Sequence, residues 1–133
     1  GRCDMSEGGE VTCDVIDKSV LDSLRELQEA GDPDIVAEVG GLFIHHSPEK
    51  VEAIMKSAEN GDARGLQMAA HSLKSSSAYI GAMRLSAMAK ELELMGRANA
   101  MDGAKEKAQR LNDEFGQVIS ALRAEIEQIG RRV

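Results

Sequence analysis

From Ala104 onward the apolar residues recur at steps of three and four without a break. Ala104, Ala108, Leu111, Phe115, Val118, Leu122, Ile126 and Ile129 form one series. A helix of 3.6 residues per turn brings such a series onto one face, whereas a strand would need steps of two. At ~1.5 Å per residue the helix runs for ~40 Å. An apolar stripe of that length must be buried against other elements. No β-rich segment and no internal repeat appears elsewhere in the chain, so those elements are helices.

The earlier segments supply them. Gly1–Val15 is rich in Gly, Asp, Glu and Ser without periodicity and reads as a flexible segment or linker, leaving 16–130 as the folded unit. Asp17 is placed to cap a helix carrying Val20, Leu21, Leu24 and Leu27 inward, ended by Gly31. Asp32-Pro33 is expected to restart the chain, with Ile35, Val36, Val39, Leu42 and Phe43 as the stripe and Gly40-Gly41 available for close helix contact. Ser47-Pro48 repeats that cap-plus-proline device before Val51, Ile54, Met55 and Ala58, and Asn60-Gly61 closes the segment. Asp62 caps a helix to about Ile80, Gly81 breaks or kinks it, and a further helix follows from about Ala82 to Asn99 with Leu85, Met88, Leu92 and Met95 as its core row. Short connections and one stripe per helix predict an all-α fold: an antiparallel four-helix bundle with an additional short N-terminal helix.

Composition bears on function chiefly by exclusion. A net charge of −7 argues against a general nucleic-acid binder. One Tyr, two Phe and no Trp leave few platforms for stacking bases, and the seven Met fill an aromatic-poor core. No apolar run approaches the roughly 20 residues of a membrane span, and no signal segment opens the chain. A cytoplasmic module, monomeric for want of a second apolar stripe on the last helix, is therefore expected. Cys3 and Cys13 are too far apart for metal-site spacing and are expected to stay reduced. His45 and His46 point about 100° apart on a helix, so they read as surface residues and no metal site is expected.

One stretch departs from simple bundle patterning. Residues 70–82 read AHSLKSSSAYIGA. His71, Lys74, Ser75 and Ala78 share one face, beside the inward row of Leu66, Ala69, Ala70, Leu73, Ser77 and Ile80. A histidine ringed by small side chains lets another protein come close. Imidazole is a nucleophile largely neutral near pH 7, and a lysine one turn on can sit against phosphoryl oxygens. On the next helix Ala82, Ser86, Ala89, Glu93 and Arg97 form a second row. If the two helices are antiparallel about Gly81, His71 and Glu93 lie at similar heights. Glu93 can then hold Nδ1–H and leave Nε2 free to attack. The same spacing also makes Glu93 an i,i+4 partner for Arg97.

AHSLKSSSAYIGA resembles the signature of histidine phosphotransfer (HPt) domains, with Ala70, His71, Leu73, Lys74, Ser76, Ser77, Gly81 and Ala82 matching and Ser75 standing where the family most often has glycine. The similarity extends from about Ile16 to about Gln128. The resemblance implies that His71 is the phosphoacceptor, that Lys74 stabilises the phosphoryl group and that Glu93 orients the imidazole. Ser75, Ala78 and Arg97 are expected at the partner-docking surface. The function expected is a phosphorelay intermediate that takes a phosphoryl group from a receiver aspartate and passes it to another response-regulator receiver. No P-loop is present, so this is a phosphocarrier without its own ATP-binding kinase site. No cofactor is expected on the chain; Mg²⁺ would come on the receiver. The alternatives are a docking module that carries no phosphate, and the substrate domain of a chemotaxis-type kinase. The linker-like start favours the cytoplasmic C-terminal domain of a membrane-bound hybrid sensor kinase over a free-standing carrier.

Overall fold

The computed structural model describes residues 15–29 and 34–132. Five helices follow in order: α1 (Lys18–Glu26), α2 (Ile35–Asn60), α3 (Ala63–Tyr79), α4 (Met83–Ala98) and α5 (Ala104–Arg132). Among the described residues there is no strand, and no helix is long and apolar enough to cross a membrane. Cys3, Cys13, Gly31 and the Asp32-Pro33 restart lie outside the described residues, as does the side chain of Ile129.

The four long helices close a ring, with α2 and α4 each packed on both α3 and α5. Every neighbouring pair is antiparallel. Gly40 of α2 faces Leu122 and Ile126 of α5, while Phe43 meets Phe115 at 6.0 Å between ring centroids. Arg84 and Glu91 of α4 pair with Glu114 and Lys107 of α5 at 3.1 and 3.2 Å. The inward rows are those of the periodicity: Leu66, Ala70, Leu73, Leu85, Leu92, Ala104, Ala108, Leu111, Phe115, Val118 and Leu122 are all buried, and Ile16, Leu21 and Leu24 add the N-terminal contribution. Of the expected α4 row, Met88 and Met95 are partly buried and pack against the core edge.

Local chemistry sets the ends. Asp17 caps α1 by accepting from Ser19 N–H, and Asp62 caps α3 by accepting from Gly65 N–H. Gly61, at φ 70, lets α2 end in the left-handed conformation. Gly81, at φ 86, turns the chain between α3 and α4. Its carbonyl accepts the Asp17 N–H at 2.7 Å, and a Cβ there would stand 2.7 Å from Asp17 O, so only glycine fits.

Several expectations are corrected. α2 does not restart at Ser47-Pro48; it is one helix with Pro48 inside it. The buried positions Val36, Gly40, Phe43, Ser47, Val51, Ile54 and Ala58 form one continuous helical series. Breaking the helix would turn its second half off the core, and this outweighs the cost of one proline (about 3 kcal/mol). The cap of α2 is Asp34, which accepts from Val36 and Ala37 N–H. Leu42 lies off that series and is 55% exposed. Leu27 is 74% exposed because α1 has already ended at Glu26 and the chain is leaving the core. Of the two adjacent glycines, Gly40 makes close contact and Gly41 faces open space.

Candidate functional site

α3 presents His71 because its neighbours in sequence are claimed by the core. Ala70 and Leu73 are fully buried, and the register leaves the His71 side chain 61% exposed. Lys74 follows one turn later, and Ser75 is exposed on the same face with Ala78 partly buried beside it. α4 supplies the second wall. Ala82, Ser86 and Ala89 are buried against α3, so the helices come close enough for the Ser86 hydroxyl to donate to the Lys74 carbonyl at 2.9 Å. At the far end Gly96 lies against the backbone of Ala63 and Gln67.

Glu93 stands between those two contacts, its side chain 3% exposed. Oε2 lies 2.8 Å from His71 Nδ1 and accepts from Arg97 Nη2 at 3.2 Å. Oε1 forms an ion pair with Lys74 Nζ at 2.7 Å. Both readings left open by the spacing are therefore realised at once: Glu93 partners His71 across the helices and Arg97 along its own. The structure thus brings His71, Lys74, Glu93 and Arg97 together, with Ser75 and Ala78 on the adjoining surface. Gln67 and Met68 were missed. They line a cleft of about 370 Å³ with His71, Glu93 and Arg97, and their spacing of four and three residues before His71 was the available signal. Lys50 was also missed. It donates from α2 to the Ser76 hydroxyl at 3.1 Å, a contact between helices that no local pattern announces.

A buried carboxylate must be compensated to stay charged. The Glu93 carboxyl is held below its ordinary value chiefly by the Lys74 ammonium; burial opposes this, and His71 adds to the lowering. An ionised carboxylate only accepts, so the hydrogen in the 2.8 Å contact is assigned to His71 Nδ1. Nε2 then carries the lone pair and faces away from the carboxylate.

A group with a lowered folded-state pKa contributes stability that is complete above its unfolded pKa and lost as pH falls through the folded value. The gap in melting temperature between the wild-type chain and Lys74→Met is expected to be widest at neutral pH. It should shrink as pH falls through and below the ordinary carboxylate range, where Glu93 takes up a proton. Thermal melts from pH 7 to pH 3 check it; a gap constant over that range would contradict it.

Known proteins resemble this chain in sequence and in fold. The chain is 38% identical over 65 residues to histidine-containing phosphotransfer protein 5 of Arabidopsis thaliana, a match covering 47% of this chain and 41% of that protein. It therefore spans well under two thirds of that relative's length. Among solved structures it resembles the histidine-containing phosphotransfer protein HptB of Pseudomonas aeruginosa PAO1, with a TM-score of 0.79 and 28% identity over 88% of this chain and 98% of that one. The sequence model of the Hpt domain matches residues 38–131, more than half the chain, and on that match the chain belongs to the Hpt domain family.

Proposed function

We propose that this chain is a phosphorelay intermediate. His71 takes a phosphoryl group from a receiver aspartate and passes it to another response-regulator receiver. The observation that carries this reading is an exposed imidazole with Nδ1 fixed by a buried carboxylate at 2.8 Å and Nε2 left free. Membership of the Hpt domain family and the names of both relatives support it.

Each residue then has a part. His71 Nε2 attacks phosphorus in line. Glu93 holds the ring in one tautomer and orientation. Lys74, 30% exposed, turns its ammonium from Glu93 toward the phosphoryl oxygens as their charge arrives. Ser75 and Ala78 leave room for the receiver, and Arg97, 60% exposed at the cleft, meets its surface. The receiver brings the Mg²⁺ that neutralises the transferring group. We place the domain in the cytoplasm, as a monomer.

The test is phosphoryl transfer. The chain is mixed with ³²P-labelled phospho-receivers of its own organism in the presence of Mg²⁺. Label that is acid-labile and base-stable identifies a phosphorus–nitrogen bond and supports the carrier. Tight binding with no label across the full receiver set would leave a docking module instead.

A further inference from the structure

Glu93 faces Nδ1 of His71, the ring nitrogen that a phosphoryl group on Nε2 leaves uncovered, so it acts on the charge of a loaded ring. With phosphorus on Nε2, Nδ1 is the one ring nitrogen able to hold or lose a proton. A neutral phosphoimidazole would turn the Nδ1 lone pair toward a carboxylate oxygen 2.8 Å away, two acceptors facing each other. The protonated ring keeps the hydrogen bond and gains an ion pair with a carboxylate that is 3% exposed.

We propose that Glu93 keeps phospho-His71 protonated at Nδ1 up to and above neutral pH, so that the phosphoryl group moves on and off Nε2 with no proton transfer at the ring. The proposal rests on the phosphocarrier reading above and assigns Glu93 a second role, as a positioning residue for a proton.

The steps balance. On loading, the Nε2 lone pair forms the nitrogen–phosphorus bond while the aspartyl oxygen–phosphorus bond breaks and its electron pair stays on the receiver carboxylate. The ring becomes an imidazolium with its original proton on Nδ1, and Glu93 faces the new charge. On unloading, the incoming carboxylate oxygen bonds phosphorus and the nitrogen–phosphorus pair returns to Nε2. The leaving group is then neutral imidazole, a far better one than imidazolate.

The other charged groups facing the ring do not reverse this. Lys74 on α3 and Arg97 on α4 both disfavour a further positive charge, but both are more exposed than Glu93; in the loaded state Lys74 turns to the phosphoryl oxygens, while Arg97 stays paired to the carboxylate. Gln67 and Met68, which complete the cleft, carry no charge. The phosphoryl oxygens add negative charge on the other side of the ring. The lowered pKa of the Glu93 carboxyl fits a group that stays anionic throughout.

The experiment loads the full chain, ¹⁵N-labelled at histidine, with phosphoramidate, a small donor that needs no receiver. The Nδ1 shift of phospho-His71 is followed from about pH 6 to pH 9 beside a phosphorylated peptide of residues 69–75. The protein ring is expected to lose its proton at least about one pH unit above the peptide, and the peptide near the ordinary imidazole range. In Glu93→Gln the titration should fall to the peptide's value. Transfer from that variant to a receiver should then drop about tenfold per pH unit above its midpoint. Wild-type transfer should change less than about twofold between pH 6.5 and pH 8. A wild-type ring that titrates with the peptide overturns the proposal even if the variant fails to fold. A ring that stays protonated yet passes nothing to any receiver overturns the carrier reading instead.

Discussion

Gly96→Ala is expected to destabilise the bundle by about 1–3 kcal/mol although it adds a single methyl group. A Cβ at position 96 would stand 2.5 Å from the Ala63 carbonyl oxygen, 2.7 Å from Gln67 N and 3.0 Å from Gln67 Cα. All three are backbone atoms of α3, so no side chain can swing aside and one helix must move. The gain in helix propensity, about 1 kcal/mol from glycine to alanine, offsets part of the strain and is counted in that range. Gly96→Val should cost more, about 3 kcal/mol or above, because it adds two further carbons at the same contact. For a chain of this size the alanine variant is expected to melt roughly 5–10 °C lower. The displacement falls less than one turn beyond Glu93, so its 2.8 Å contact with His71 should lengthen and phosphoryl transfer should slow as well. Calorimetry reads the first effect and transfer kinetics the second. An alanine variant that melts with the wild type would mean that α3 and α4 are not in backbone contact there.

The opposite pattern is expected of His71→Gln: complete loss of phosphoryl label with the fold intact. His71 is mostly exposed, and its ring hydrogen-bonds Glu93. Glutamine can donate to the same carboxylate oxygen, so no buried charge is stranded. Stability should stay within about 0.5 kcal/mol of wild type, as for an exposed substitution away from the core. The amide nitrogen has no free lone pair to attack phosphorus, and no neighbour replaces it. Lys74 is ion-paired with Glu93 at rest. The nearby serine hydroxyls lack a base, and a phosphoserine would in any case be acid-stable. Label remaining on the variant with unchanged acid lability would move the nucleophile to another residue, and the candidate site with it.

Much of this arrangement was legible in the sequence because it depends on helical geometry alone. The position of Glu93 follows from counting residues either side of Gly81, and His71 is exposed because its buried neighbours fix its register. The core row of α5 was read residue by residue from Ala104 to Leu122, whereas Ile126 is only half-buried. What was missed depends on neighbours distant in sequence. Pro48 looked like a helix start by local rule, yet both halves of α2 share one buried face. Leu42 and Leu27 have the right chemistry for the core and the wrong position for it. Gly96 gave no local sign of its role, since a glycine near the end of a helix reads as a weak point until the facing backbone is known. The third partner of Glu93, Lys74, was assigned to the phosphoryl group rather than to the carboxylate. Spacing shows which groups can meet and does not show which of two acceptors a cation prefers at rest.

The hydrogen bond from Asp17 N–H to the Gly81 carbonyl has a consequence for the order in which the chain assembles. It joins residues far apart in sequence, and its acceptor exists in the right orientation only after α3 and α4 have closed into a hairpin. That hairpin is local, its two helices separated by a three-residue connection, so its loop-closure cost is small and it is suited to form early. α1, nine residues long, is too short to be stable alone and docks onto a corner already built. It is accordingly the part of the described bundle that can open while the rest stays closed. The paired carboxylate and imidazole both lie within that hairpin, so opening of the N-terminal helix leaves both walls of the site in place.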